Sequence, residues 1–385
     1  LMEQNQNQAN LSSEEISRYA RHISLPEIGI QGQEKLKNSS IACIGTGGLG
    51  SPLLIYLAAA GIGRIGIIDF DVVENSNLQR QIIHTTNSIG KLKTYSAKEH
   101  ILKINPSCKV DLFNQKINSR NALEILQPYD VICDCSDNFP TRYLINDACI
   151  ILKKPNIYGS IAKFEGQASV FNLRKNSPNY RDLIPIPPPK ELIPSCSEAG
   201  VMGILPGIIG TIQATEAIKI ITNIGSPLDG RILIFNALKM NFKELTLRSN
   251  PKNKNIKELI DYESFCSKIK VKNEVDFDIK SISVNTLKSL LCNSSKEMLL
   301  IDVRNPIENR ECSIAGSKLI PLSTIESGEA IKKIKMFSAK KKVYIFCKSG
   351  KRSLRAIKHL KKFGINGINI EGGIEAWNKE KINEN

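Results

Sequence analysis

The chain has 385 residues, 41% of them apolar and 24% charged, with a net charge of +15. That length exceeds what one hydrophobic core serves and predicts two domains, and the composition excludes a disordered or collagen-like chain. The positive charge comes from lysines scattered through every segment beside asparagine and isoleucine, so it reads as solvated surface and AT-rich coding, such as an organelle's, and not as a nucleic-acid face.

The first residues are polar and carry no secretory apolar segment, so the cysteines are read as thiols of a soluble intracellular protein, in cytoplasm or plastid stroma. Ser12 and Ser13 with Glu15 signal a helix start, followed by RYARH around Arg21. From Ser39 the chain reads as strand (Ile41 to Ile44), glycine cluster (Gly45, Gly47, Gly48, Gly50), apolar helix (Pro52 to Ala60) and strand (Ile65 to Ile68) ending in Asp69 and Asp71. The uncharged run from Ile41 to Gly63 is long enough to raise a membrane span, but its glycines and proline predict buried strand and helix. Glycines at such a turn let backbone N–H groups converge on a phosphate, and a carboxylate closing the next strand lies where a ribose hydroxyl would sit. The turn alone fits NAD, FAD, a methyl donor or ATP.

A polar loop follows, then GKLK (Gly90 to Lys93), an amphipathic helix to about Ile104 and a strand over Lys109 to Phe113. Asp130 to Asn138 reads as an apolar strand delivering acidic groups at its C-terminal end. Thr141 to Leu152 reads as helix and Gly166 to Leu173 as alternating strand. Tyr180 to Pro194 holds five prolines and predicts an extended crossover. A Gly/Pro-rich turn leads from Cys196 into a long helix ending near Thr222, and Arg231 to Leu247 reads as two strands. Residues 249–279 lose periodicity and read as a linker between a domain at 12–248 and a second α/β domain at 280–381.

Asn77, Arg80, Lys93 and Asp137 add to the turn what phosphoryl or nucleotidyl transfer needs: cations for a polyphosphate and a carboxylate for Mg²⁺. GTGGLGS, DFDVVENSNLQRQ, GKLK, CSDN, and CSEAGVMG with IGTIQATEAIK resemble the MoeB/ThiF branch of the E1 superfamily, over roughly residues 14 to 250. The resemblance implies a Rossmann-like, doubly wound E1-type domain in a homodimer. It adenylates the C-terminal glycine of a ubiquitin-like sulfur carrier ending in Gly-Gly, for instance the molybdopterin-synthase small subunit. It also implies that Gly48 and Asp69 hold ATP with Ser76, Asn77, Leu78, Gln79, Arg80 and Asn138, that Lys93 meets the transferring phosphate and Asp137 the Mg²⁺, and that Arg21 reaches into the partner's site. Cys196 resembles a cysteine that takes a covalent role in some relatives. Relatives carry two C-x-x-C pairs that bind a structural zinc. Here NYRD and NPKNKNI stand at those two places, so no zinc is expected.

CKSGKRS, with Cys347 followed by Lys348, Ser349, Gly350, Lys351, Arg352 and Ser353, predicts a strand end, a basic loop and a helix whose N–H groups face the sulfur. With LLIDVRNP (Asp302, Arg304) and EGGIEAW it resembles a single-domain rhodanese, implying a persulfide drawn from a cysteine desulfurase or thiosulfate. A phosphatase-like reading of the same loop, through Arg352, competes. For the whole chain the alternative is a dinucleotide-dependent oxidoreductase with a rhodanese-like binding module. No membrane or nucleic-acid partner is expected.

Overall fold

Strand β1 (Ser40–Ile44) lies at the centre of the first of two units, Leu1–Lys270 and Val271–Asn385. The computed structural model describes residues 10–188, 200–267, 279–294, 297–339 and 341–382. In the first unit β1, β2 (Arg64–Ile68), β3 (Lys109–Phe113), β4 (Val131–Asp134) and β5 (Asn156–Ala162) pair in parallel in the order β3-β2-β1-β4-β5. Strands β6 (Glu165–Phe171), β7 (Arg231–Asn236) and β8 (Asn241–Thr246) continue the sheet antiparallel beyond β5. The order reverses between β1 and β4, and a parallel open sheet leaves a crevice at the C-terminal ends of its strands at that switch point.

Alternation along each strand builds a core on both faces. Ile41 and Cys43 pack with Leu53, Leu57 and Ile209, whereas Ala42 and Ile44 pack with Tyr143 and Ile125. The uncharged run is the strand and the buried helix Gly50–Ala60, and no helix among the described residues is long and apolar enough to cross a membrane. Burial on nearly every side explains why that helix is apolar all round.

Three differences between the sequence reading and the first unit stand out. The strand β5 is a seven-residue parallel strand, Asn156–Ala162, that sequence alone had not marked. Tyr180–Leu183 is a helical turn, capped by Asn179, at the start of the expected extended crossover. The first part of the expected linker is folded onto the first unit. The helix Tyr262–Ser267 puts the Tyr262 hydroxyl on Asp147 Oδ2 at 2.7 Å, where Arg181 also forks onto the same carboxylate at 2.9 and 2.7 Å.

In the second unit β9 (Ser281–Ile282), β10 (Met298–Asp302), β11 (Lys318–Leu319), β12 (Lys342–Phe346) and β13 (Gly367–Ile370) form a parallel sheet in the order β11-β10-β12-β13-β9. Leu299, Ile301, Val343 and Ile345 face one core and Leu300, Tyr344 and Phe346 the other. The strands β9 and β11 hold two residues each, too short to leave a periodic trace.

The turn after β1 depends on the absence of side chains. Gly45 has φ of 94°, and a Cβ on Gly50 would lie 2.0 Å from the Gly45 carbonyl oxygen. Gly50→Ala must therefore displace backbone, at about 1–3 kcal/mol for such overpacking. It is expected to lower the melting temperature of the first unit by several degrees and to abolish nucleotide binding. An ATP titration like that of the unsubstituted protein would contradict this account of the turn.

Candidate active site

The crevice holds a cavity of about 410 Å³ between the ends of β1, β2 and β4. Gly48, Asp69, Arg80, Lys93, Asp137 and Asn138 line it. Ser76, Asn77, Leu78 and Gln79 do not; Asn77 is buried and its Oδ1 accepts from the Glu74 N–H at 3.1 Å, fixing the loop that carries Arg80. Arg21 is exposed on the helix Ala20–Ile23 and does not line the cavity of its own chain. Cys196 lies outside the described residues.

Asp69 ends β2 with its carboxylate already oriented. Oδ2 accepts from both the N–H and the hydroxyl of Thr46 at 2.8 Å, and Oδ1 accepts from the Asp71 N–H at 2.9 Å. Lys93 is the first residue of the helix Lys93–Ile104, where the helix dipole disfavours a cation. Its ammonium is nonetheless buried against the Asp71 carboxylate at 2.9 Å, with 8% of its side chain exposed. A buried lysine at the positive end of a helix is poised to gain from an anion. Arg80 donates to the Ser76 carbonyl at 3.0 Å. Asp137 is exposed at the cavity rim, touched by Asn138 Nδ2 at 3.3 Å, while Asn138 Oδ1 caps the next helix through the Thr141 N–H.

Three further contributors escaped the sequence reading. Gln81 and Arg142 are both buried and line the cavity, and Gln81 Oε1 and Arg142 Nε have no hydrogen-bond partner among the described residues. Buried polar atoms left unpaired are costly, and a polar ligand in the cavity would relieve them. Glu263, from the segment expected to be linker, also lines the cavity and pairs with Lys116 at 2.9 Å.

In the second unit Cys347 follows β12, and Gly350, at φ 97°, precedes the helix Lys351–Lys361. The Gly350 N–H donates to the Cys347 sulfur at 3.1 Å, and Cys347 as a residue is 1% exposed. Ser353 Oγ lies 3.6 Å from the sulfur and 2.6 Å from Asn369 Oδ1. The expected basic loop is partly neutralised: Glu308 takes the Arg352 guanidinium in a fork at 2.8 and 2.6 Å, and Lys348 sits 3.6 Å from Glu375. The Arg352 guanidinium holds the Glu308 carboxyl below its usual range. Lys351 is exposed, as is Ser349. Arg304 forks onto the fully buried Asp302 and donates to the Cys312 carbonyl at 2.6 Å.

A ThiF family model matches residues 19–257 and a rhodanese-like domain model residues 283–380. The chain belongs to the ThiF family. It is 44% identical over 376 residues to the probable adenylyltransferase/sulfurtransferase MoeZ of Mycobacterium tuberculosis, covering 96% of this chain and 94% of that one. It is 42% identical over 374 residues to the probable molybdopterin-synthase adenylyltransferase of Porphyra purpurea, covering 95% and 94%. The adenylyltransferase and sulfurtransferase MOCS3 of Drosophila persimilis is 40% identical over 385 residues, covering 96% and 85%. Among solved structures, E. coli MccB with MccA-N7isoASN superposes with a TM-score of 0.56 at 23% identity, covering 63% of this chain and 74% of that one.

The ThiF-family glycine turn is braced by a buried imidazole. His84 Nε2 contacts the Thr46 carbonyl at 3.0 Å and Nδ1 contacts Ser96 Oγ at 2.9 Å. A carbonyl only accepts, so Nε2 carries the proton and Nδ1 accepts from the serine hydroxyl. The strut thus joins the turn that holds Asp69 to the helix that carries Lys93. Burial, with help from the Lys93 charge, pushes the His84 pKa from 6.5 down to about 4. The unfolded chain binds the proton first, so stability is greatest above pH 6.5 and falls as pH drops from 6.5 to 4, by on the order of 3 kcal/mol in full. Urea midpoints for His84→Gln are expected to lose most of that slope relative to the unsubstituted protein. An unchanged slope would show that His84 is not buried neutral.

Proposed function

We propose that the chain uses ATP to adenylate the C-terminal glycine of a ubiquitin-like sulfur carrier and then sulfurates it from a persulfide on Cys347. The observation that carries the reading is the convergence of a buried Lys93, the pre-oriented Asp69, Arg80 and Asp137 on one cavity, in a chain whose second unit ends a strand in a cradled thiol. Relatives named as both adenylyltransferase and sulfurtransferase over nearly their full length support joining the two chemistries. The Porphyra purpurea relative's name favours the molybdopterin-synthase small subunit as carrier. The lysine and asparagine bias supports an organelle-encoded protein acting in a plastid stroma.

Asp69 takes the ribose hydroxyls, and the N-terminus of the helix Gly50–Ala60 and Arg80 receive phosphate oxygens. Lys93 leaves Asp71 for the α-phosphate as negative charge builds there during attack by the carrier carboxylate. An ATP-sized anion fits the unpaired donor on Arg142 and the cations around it. The exposed Asp137 carboxylate suits Mg²⁺, which neutralises polyphosphate charge when bound. Arg21, which lines no part of its own cavity, acts in a second copy of the chain. Exposed Tyr56 and Tyr95, on the helices Gly50–Ala60 and Lys93–Ile104, support a surface that such a copy covers. Cys196, which follows the proline-rich stretch in sequence, would attack the acyl-adenylate so that its sulfur takes the acyl group as AMP leaves, before sulfur arrives.

Lys93→Ala and Arg80→Ala are each expected to cut ATP–pyrophosphate exchange by at least ~100-fold while leaving sulfur transfer from thiosulfate to cyanide intact. Cys347→Ala is expected to release pyrophosphate in the presence of carrier yet give no thiocarboxylate by mass spectrometry. Exchange near the unsubstituted rate, or thiocarboxylate from the Cys347 variant, would overturn the respective assignment. Mixing Arg21→Ala with Lys93→Ala protein is expected to restore exchange at one site of the mixed dimer. No recovery after demonstrated subunit exchange would place Arg21 in its own site or in none.

A further inference from the structure

We infer that a metal-free hydrogen-bond clasp, built from Asn179, Asp182, Asn250 and Asn253, fastens the entrance of the proline-rich crossover to the chain that leaves β8. The two places where the resemblance implies C-x-x-C zinc pairs hold Asn179-x-x-Asp182 and Asn250-x-x-Asn253, with the same three-residue step. The structure brings all four together. Asp182 Oδ1 accepts from the Asn250 N–H at 3.0 Å and from Asn253 Nδ2 at 2.7 Å, while Oδ2 accepts from the Asn179 N–H at 2.9 Å. Asn179 Nδ2 donates to the Asn253 carbonyl at 3.2 Å, and Asn253 Nδ2 also donates to the Arg181 carbonyl at 3.2 Å. Two of the three amide oxygens are engaged too, Asn179 Oδ1 by the Arg181 N–H at 2.8 Å and Asn250 Oδ1 by the Lys252 N–H at 3.1 Å.

This donor set does not fit zinc. A tetrahedral site needs four thiolate, imidazole or carboxylate donors, and amide nitrogens are not ligands. Here the one carboxylate is surrounded by N–H groups that turn their positive ends toward it, the opposite of what a cation requires. A metal ion at the centre would have to expel those donors and strand them. The clasp instead satisfies fully buried Asn179 at its N–H, amide nitrogen and amide oxygen, where an unpaired polar atom would be costly. It closes a chain loop of about seventy residues without a cross-link. The Arg181 fork onto Asp147 adds a second tie beside it. The arrangement ties down the start of the crossover with nothing for a chelator to remove or an oxidant to attack.

The test uses the full-length protein. Metal analysis is expected to find far less than one zinc per chain, and EDTA without nucleotide is expected to leave the first thermal transition unmoved. Asp182→Asn and Asn253→Ala are each expected to lower that transition by about 5–10 °C. The quadruple variant N179C/D182C/N250C/N253C, refolded with Co²⁺, is expected to show the absorption bands of a tetrahedral thiolate site, because the four positions converge. Stoichiometric zinc whose removal lowers the transition would overturn the inference. So would an unshifted transition in both single variants, or a quadruple variant that folds but gives no thiolate–cobalt bands.

Discussion

The contact on which the first unit depends is the grip of Thr46 on Asp69. The glycine turn and the carboxylate that ends β2 are twenty-three residues apart, and two hydrogen bonds to one oxygen lock them together. Once the turn is fixed, the helix Gly50–Ala60 has one direction, and its amino end faces the crevice between β1 and β4. The same two bonds orient a carboxylate that lines the cavity, so a fold-determining contact also sets a group of the candidate site. His84 extends the lock to Lys93 through Ser96. The turn and the helix that carries Lys93 are thereby tied by neutral groups, while the Lys93 charge itself is held by the Asp71 carboxylate.

The second unit solves a different electrostatic problem with similar means. Its thiol is met by a backbone N–H and backed by Ser353 and Asn369, while the Arg352 charge is held by Glu308. The loop therefore relies on backbone dipoles more than on the cations that its sequence advertises.

Much of the first unit was legible because its signals are local. A β-branched strand, a glycine cluster and a carboxylate at the end of the next strand need only nearest neighbours to be read, and Gly48, Asp69, Arg80, Lys93, Asp137 and Asn138 all border one cavity. What stayed hidden depends on distant partners. Asn156–Ala162 contains a glycine that accommodates Gln213 from the long helix, so its pattern reflects a neighbour and not a period. Gln81, Arg142 and Glu263 owe their place at the cavity to the fold of elements far from the glycine turn. The clasp is of the same kind: four polar residues in Asn/Lys-rich stretches look like loop until they are seen to face one another.

The burial of Cys347 has a chemical consequence for the resting thiol. Sulfenic and sulfinic oxidation follows accessibility, and the sulfur of a residue with 1% exposure, behind a glycine N–H, is poorly reached by peroxide. A persulfide there would lengthen the side chain by one S–S bond of about 2.05 Å, setting the transferred atom one bond beyond the sulfur that carries it. The loop thus shelters its own sulfur, and on the proposed role the atom to be delivered would be a different one from the atom so protected.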